Sequence, residues 1–184
     1  MRSAFLTLWD LLTPERTAPP AAPARITPPV TRTKTATPRT RSTKPLSRNH
    51  AAIARYDALT KQLLSEHNIR VRKWRTSMTG VAWQVHYHDG TTTRLIEAPR
   101  PRGPMSAAIF LHEVGHHAIG FYRYKPRCLE EHHAWAWALA AMQQHDIQIT
   151  DAVHKRVRDS MRYAIAKANR RGIKSLPPEM LAYL

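Results

Sequence analysis

The chain of 184 residues carries 29 Lys and Arg against 13 Asp and Glu, a net charge of +16, with 14 prolines and one cysteine. That length suits one domain and a tail, and the single Cys128 excludes an intramolecular disulfide and fits a reducing, cytoplasmic compartment. No apolar run reaches the roughly 18 residues a membrane-crossing helix needs, and the excess of cations points to an acidic partner such as nucleic acid.

Residues 1–46 read as a disordered basic arm. Proline, threonine, alanine and arginine dominate from Thr13 onward, leaving too little apolar surface to offset ordering entropy. Arg25, Arg32, Lys34, Arg39, Arg41 and Lys44 could neutralise phosphates without reading sequence. An Arg-rich, acid-poor arm is also what an organellar transit peptide shares. Phe5, Trp9 and Leu12 fall at i, i+4 and i+7, so a short helix would present them together to the groove of a protein partner. Asp10 interrupts this apolar start, and a secretory signal peptide is not expected.

Residues 47–184 form the expected folded domain, of α+β class. Ile53, Tyr56, Leu59 and Leu63 recur at helical spacing and predict a helix from about Ser47 to His67, with Asn68 suited to the left-handed position after it. Three strands then follow. Ile69 and Val71 alternate with Arg70 and Arg72; Val81, Trp83, Val85 and Tyr87 alternate with polar neighbours; Thr91 to Ala98 is the return strand. Asp89-Gly90 is a hairpin signal of the type I′ kind, and the three strands are expected as an antiparallel meander. His86 and His88 share a strand face, where exposed histidines are common.

Pro99-Arg100-Pro101-Arg102-Gly103-Pro104 breaks the third strand. Ser106 can cap the next helix, which runs to about Ile119 and stops at Gly120. Ala107, Ala108, Ile109, Phe110, Leu111 and Val114 make this helix apolar nearly all round, so it should be buried. It nevertheless contains His112-Glu113-Val114-Gly115-His116. Two imidazoles four residues apart project from one helical face and can grip one metal ion, most often zinc. Glu113 follows the first ligand, where its carboxylate can act as a general base without being a ligand. A buried helix makes unpaired polar groups costly, and a metal satisfies them directly. Gly115 suggests close approach of the sheet beside the metal. His117 points about 100° away from His116, toward a supporting or surface role.

A second apolar helix, from Arg127 to about His145, opens with Glu130-Glu131-His132-His133. Either carboxylate could complete a His-His-Glu site with an open fourth position; His132 or His133 could serve instead. Tyr122, Tyr124 or one of these histidines could donate to a developing oxyanion. Thr150 then caps a last helix to about Asn169, with Val153, Val157, Ala164, Ile165 and Ala168 inward and a basic face outward. That face, with the arm, is a second expected contact for nucleic acid. The tail is expected to pack through Leu181 and Leu184.

His112-Glu113-x-Gly115-His116 followed by Glu131-x-x-Ala134-x-x-Trp137-Ala138 resembles the ImmA/IrrE-type zinc metallopeptidases, over roughly Ser47 to Met142. That resemblance implies a zincin-like, minimal gluzincin fold: an N-terminal helix, a small sheet, the metal-binding helix and a glutamate-bearing helix, here followed by a basic C-terminal helix. It implies Zn2+ held by His112, His116 and Glu131, with Glu130 the second choice, Glu113 as the catalytic base, and a protein or peptide substrate. Trp137 stands where that family usually has phenylalanine, His133 where an acid is common, and no helix-turn-helix extension is evident. The rival expectation is a nucleic-acid-binding or adaptor protein on an inactive scaffold of the same fold.

Overall fold

The computed structural model describes residues 48–184; the basic arm and its Phe5, Trp9 and Leu12 stripe lie outside the described residues. In chain order the elements are α1 (Arg48–Glu66), β1 (Ile69–Arg75), β2 (Val81–His86), β3 (Thr92–Pro99), α2 (Pro104–Ile119), α3 (Arg127–Gln144), α4 (Asp151–Arg170) and a closing 3-10 turn, Pro178–Tyr183. This is the expected α+β class. Among the described residues no helix is long and apolar enough to cross a membrane.

Helix α1 buries Leu59 and Leu63, one turn apart, and Asn68 ends it with φ 51, a conformation asparagine tolerates better than most side chains. The β2–β3 hairpin forms at Asp89-Gly90 but is not a type I′ turn. Only Gly90 has positive φ (83), whereas type I′ needs it at both central residues. Gly90 N donates to Tyr87 O, and Tyr87 N to Thr91 O, so the loop holds one residue more. Asp89 Oδ1 takes up both the amide and the hydroxyl of Thr91.

The antiparallel meander is not what the strands make. Their order is β1-β3-β2: β1 runs parallel to β3, and β2 antiparallel to it, in a mixed sheet. The short link 76–80 carries the chain across the end of β3, so β2 lands beyond it rather than beside β1. Two effects account for this. β3 is the most buried strand, with Ile96 and Ala98 fully buried, and the central position covers both its edges. Glu97 on β3 also accepts ion pairs from two β1 side chains, Arg72 at 2.9 Å and Arg75 at 3.0 Å. Alternation fixes which face a strand buries, not which strand it pairs with.

This bridge makes a prediction about stability. Arg72 is two-thirds exposed and contributes little, but Arg75 is 30% exposed and Glu97 10%. Glu97→Ala is therefore expected to lower stability by about 1–3 kcal/mol, read as a drop in the urea midpoint. An unchanged midpoint would show that β1 is held by backbone pairing alone.

Helix α2 is the centre of the domain, packed against β3 on one side and α3 on the other. Ala107, Ala108, Phe110, Leu111 and Val114 are wholly buried, as the apolar pattern requires. Ser106 does not cap α2 from outside; it is the third residue of the helix. Its hydroxyl reaches back to accept from Arg102 N (2.9 Å) and Gly103 N (3.2 Å). Gly115 faces α3, not the sheet. A Cβ there would lie 2.8 Å from Ala134 O and 3.3 Å from Trp137 Cε3, so only glycine lets the two helices cross this closely.

Thr150 caps α4 as expected, its hydroxyl accepting from Val153 N. α4 buries Val153, Val157, Met161, Ile165 and Ala168; Met161, rather than Ala164, completes the stripe. The tail is anchored by Met180, fully buried, while Leu181 and Leu184 are 60% and 71% exposed. A 3-10 turn has three residues per turn, which brings Met180 inward and leaves the two leucines outside.

Candidate metal centre

His112 and His116 sit one turn apart on the buried face of α2, 7% and 3% exposed, with ring centroids 4.7 Å apart. The close crossing at Gly115 brings α3 over this face. Glu131, one turn into α3, extends its Oε2 to 3.3 Å from His112 Nε2 and 3.5 Å from His116 Nε2. These three residues are the group among the described residues whose donor atoms converge closely enough to hold one ion.

The geometry fits zinc. Donors held about 2.0–2.1 Å from a tetrahedral ion lie about 3.3 Å from one another, close to the two separations to Glu131. Two imidazole nitrogens and one carboxylate oxygen are also a zinc donor set. The rings are locked from behind. His112 stacks on Trp135 at 4.2 Å, and Trp135 lies one turn beyond Glu131 on the same face of α3. Burial brings His112 down to about 4, with the His116 charge adding to the effect, so its imidazole is neutral as a ligand must be. Burial acts against charge on His116 too, but Glu130 and Glu131 beside it prevail and raise it to about 9, so an ion bound here would have to displace the His116 proton. Burial likewise resists ionisation of Glu131, yet the hydrogen bonds from His112 and His116 hold it well below the usual carboxylate range.

Glu130 has a different place from its neighbour. It is 1% exposed and passes behind His116, its Oε1 lying 3.3 Å from Nδ1. The contact is oblique, and neither atom has an aligned hydrogen-bond partner. Its other oxygen accepts the amide of Tyr122 at 3.0 Å, where the backbone turns through φ 62. Arg127 bridges both carboxylates, 3.4 Å from Glu130 and 3.2 Å from Glu131. A carboxylate behind a ligand imidazole fixes its orientation and raises its basicity. Glu130→Gln is accordingly expected to weaken zinc binding about 10–100-fold without abolishing it, measured by competition with a chromogenic chelator. Complete loss of zinc would make Glu130 a ligand.

Glu113 is 5% exposed and is not in the converging trio. Burial pushes its carboxyl up to about 7, against the pull of His116. Its side chain lies against Gly80, in the link before β2: a Cβ built at Gly80 would sit 2.6 Å from Glu113 Cδ. Gly80 is thus a cradle that any larger residue would close. Nothing in the sequence beyond a glycine before an edge strand could have signalled this, nor that Arg156 of α4 comes to the same place.

The remaining histidines are elsewhere. His117 Nε2 donates to Leu95 O at 3.1 Å, tying α2 to β3, and burial lowers its pKa to about 4. His132 pairs with the Tyr183 hydroxyl at 3.3 Å, and His133 stacks on Tyr124 at 3.8 Å. His86 bonds Thr92 in an exposed position, and His88 is exposed in the hairpin loop. Over the trio opens a cleft of about 1400 Å³. Its walls include Gly80, Val81 and Ala82 on one side, Tyr122 and Tyr124 at one end, and a long stripe of α4. Comparison with protein-family models, curated proteins and solved structures returned no significant match.

Proposed function

We propose that this chain is a zinc-dependent peptidase with the minimal gluzincin organisation that the ImmA/IrrE resemblance implies. The observation that carries the reading is the convergence of His112 Nε2, His116 Nε2 and Glu131 Oε2 at the floor of a cleft, with Glu113 beside them and outside the trio. A zinc ion at such a site supplies Lewis acidity, making water a stronger acid and a carbonyl a stronger electrophile.

The protein's own groups divide the other tasks. Glu113, with its pKa near 7, is matched to take a proton from water and return it to a leaving amine at neutral pH. The missing side chain at Gly80 leaves that carboxylate the space it occupies. Glu130 and Trp135 hold the two imidazoles in place. Among the described residues β2 pairs only with β3, so its other edge offers backbone donors and acceptors to an extended peptide. The cationic arm would then serve to bring the peptidase to an anionic partner such as nucleic acid, and Phe5, Trp9 and Leu12 to a protein.

The test is metal content and hydrolysis together. The purified full chain should carry stoichiometric zinc and cleave an unfolded protein substrate; 1,10-phenanthroline should stop cleavage and added zinc restore it. A chain that holds no metal, or one whose metal loading leaves every protein substrate intact while salt-sensitive DNA binding persists, would favour the inactive scaffold instead.

A further inference from the structure

The cleft is asymmetric in charge. Arg156, Ser160, Tyr163, Lys167 and Arg171 of α4 and its end all line it. They recur at i, i+4, i+7, i+11 and i+15, a single stripe running about 22 Å along the helix. Three of the four carboxylates that line the cleft are already engaged, and the fourth, Glu113, lies against Gly80 beside the trio. Glu130 and Glu131 face Arg127 and the histidines, and Asp159 is paired with Lys155 at 2.7 Å. No carboxylate among the described residues lies within ion-pair distance of Lys125, Arg156, Lys167 or Arg171. Arg156 spends one guanidinium nitrogen on Met78 O at 3.0 Å, and its Nε is buried without a partner. Met78 lies in the link that holds Gly80 against Glu113, so Arg156 marks the end of the stripe nearest the candidate site. Lys167 and Arg171 continue the stripe away from it.

We infer that the cleft selects acidic polypeptides: an extended chain lies between the β2 edge and α4 with glutamate or aspartate side chains seated on Lys167 and Arg171, several residues from the bond at the metal. The position of that bond rests on the peptidase reading above; the acidic preference rests on the charge of the wall. A stripe of about 22 Å matches about seven residues of extended chain at about 3.3 Å each. The opposite wall is a strand edge left unpaired among the described residues, which can pair with a peptide backbone and has nothing equivalent to offer a nucleic acid. The chain's own arm is excluded as occupant, since Arg25, Arg32, Lys34, Arg39 and Arg41 carry the same charge as the wall.

The experiment uses the full chain carrying Glu113→Gln, which prevents turnover, loaded with zinc at near-physiological salt. Fluorescence anisotropy compares a labelled peptide of about twelve residues rich in glutamate, long enough to span the stripe, with its glutamine counterpart. The acidic peptide should bind about tenfold or more tightly, and Lys167→Glu/Arg171→Glu should remove the difference. Both residues are exposed, so the fold tolerates the change, and the basic arm is untouched. Equal binding of the two peptides overturns the proposal. So does a preference that survives the double substitution, which would assign it to the arm, or an oligonucleotide of equal charge displacing the peptide from the wall. Zinc content read in parallel keeps the readings apart: an acidic preference in a chain that holds no zinc supports the groove and removes the peptidase.

Discussion

Glu113→Gln should retain stoichiometric zinc and lose peptide hydrolysis by about 10²–10⁴-fold, the usual contribution of a positioned acid–base group. The amide has nearly the shape of the carboxylate, so it fits against Gly80, where a Cβ would come within 2.6 Å of Glu113 Cδ. Packing and metal binding should therefore be preserved while proton transfer is lost. The two readouts check different assignments. Full activity with bound zinc would remove Glu113 from catalysis. Loss of zinc would make it a ligand, against its absence from the converging trio.

Removing the third candidate donor should have the second large effect. Glu131→Ala is expected to abolish stoichiometric zinc, because its Oε2 is the atom that both imidazoles approach, at 3.3 and 3.5 Å. Stability gives a readout independent of activity. A ligand at a hundred times its Kd stabilises the folded state by about 2.7 kcal/mol, which for a domain of this size is a rise in Tm of about 5–10 °C. Zinc should raise the Tm of the wild type by that order and leave Glu131→Ala unmoved. Glu130→Gln should show the rise at higher zinc concentration. If Glu131→Ala still gains stability from zinc and Glu130→Gln does not, the two carboxylates must exchange roles.

The neighbours Glu130 and Glu131 show where local reading stops. They differ by about 100° around α3, and helical periodicity cannot say how α3 is rotated about its own axis. That rotation is set by the crossing at Gly115, where Ala134 O and Trp137 close on α2. The crossing turns Glu131 to the Nε2 atoms in front and Glu130 to Nδ1 behind. The preference for Glu131 came from the resemblance to a family motif, not from the residues themselves. Gly115 is instructive in the same way: its smallness announced a close approach, but α3 rather than the sheet is what approaches.

The short-range features were legible because each is decided within a few residues. His112 and His116 must share a face of any helix they lie on, the apolar run around them demands burial, Asn68 and Gly120 end their helices at positive φ, and Thr150 caps α4. Pairings between elements were decided only in three dimensions. β1 chose β3, through Glu97 and the buried Ile96, and no turn signal encodes a strand's non-adjacent neighbour. Gly80 reached Glu113, and Arg156 reached the cleft, only because the link 76–80 and α4 fold over α2. The sequence by itself determined a helix with two paired imidazoles and a carboxylate. The third candidate donor, the cradle behind Glu113 and the charged wall were set by the tertiary structure, because they depend on helix rotation and strand order, which burial of the whole core decides at once.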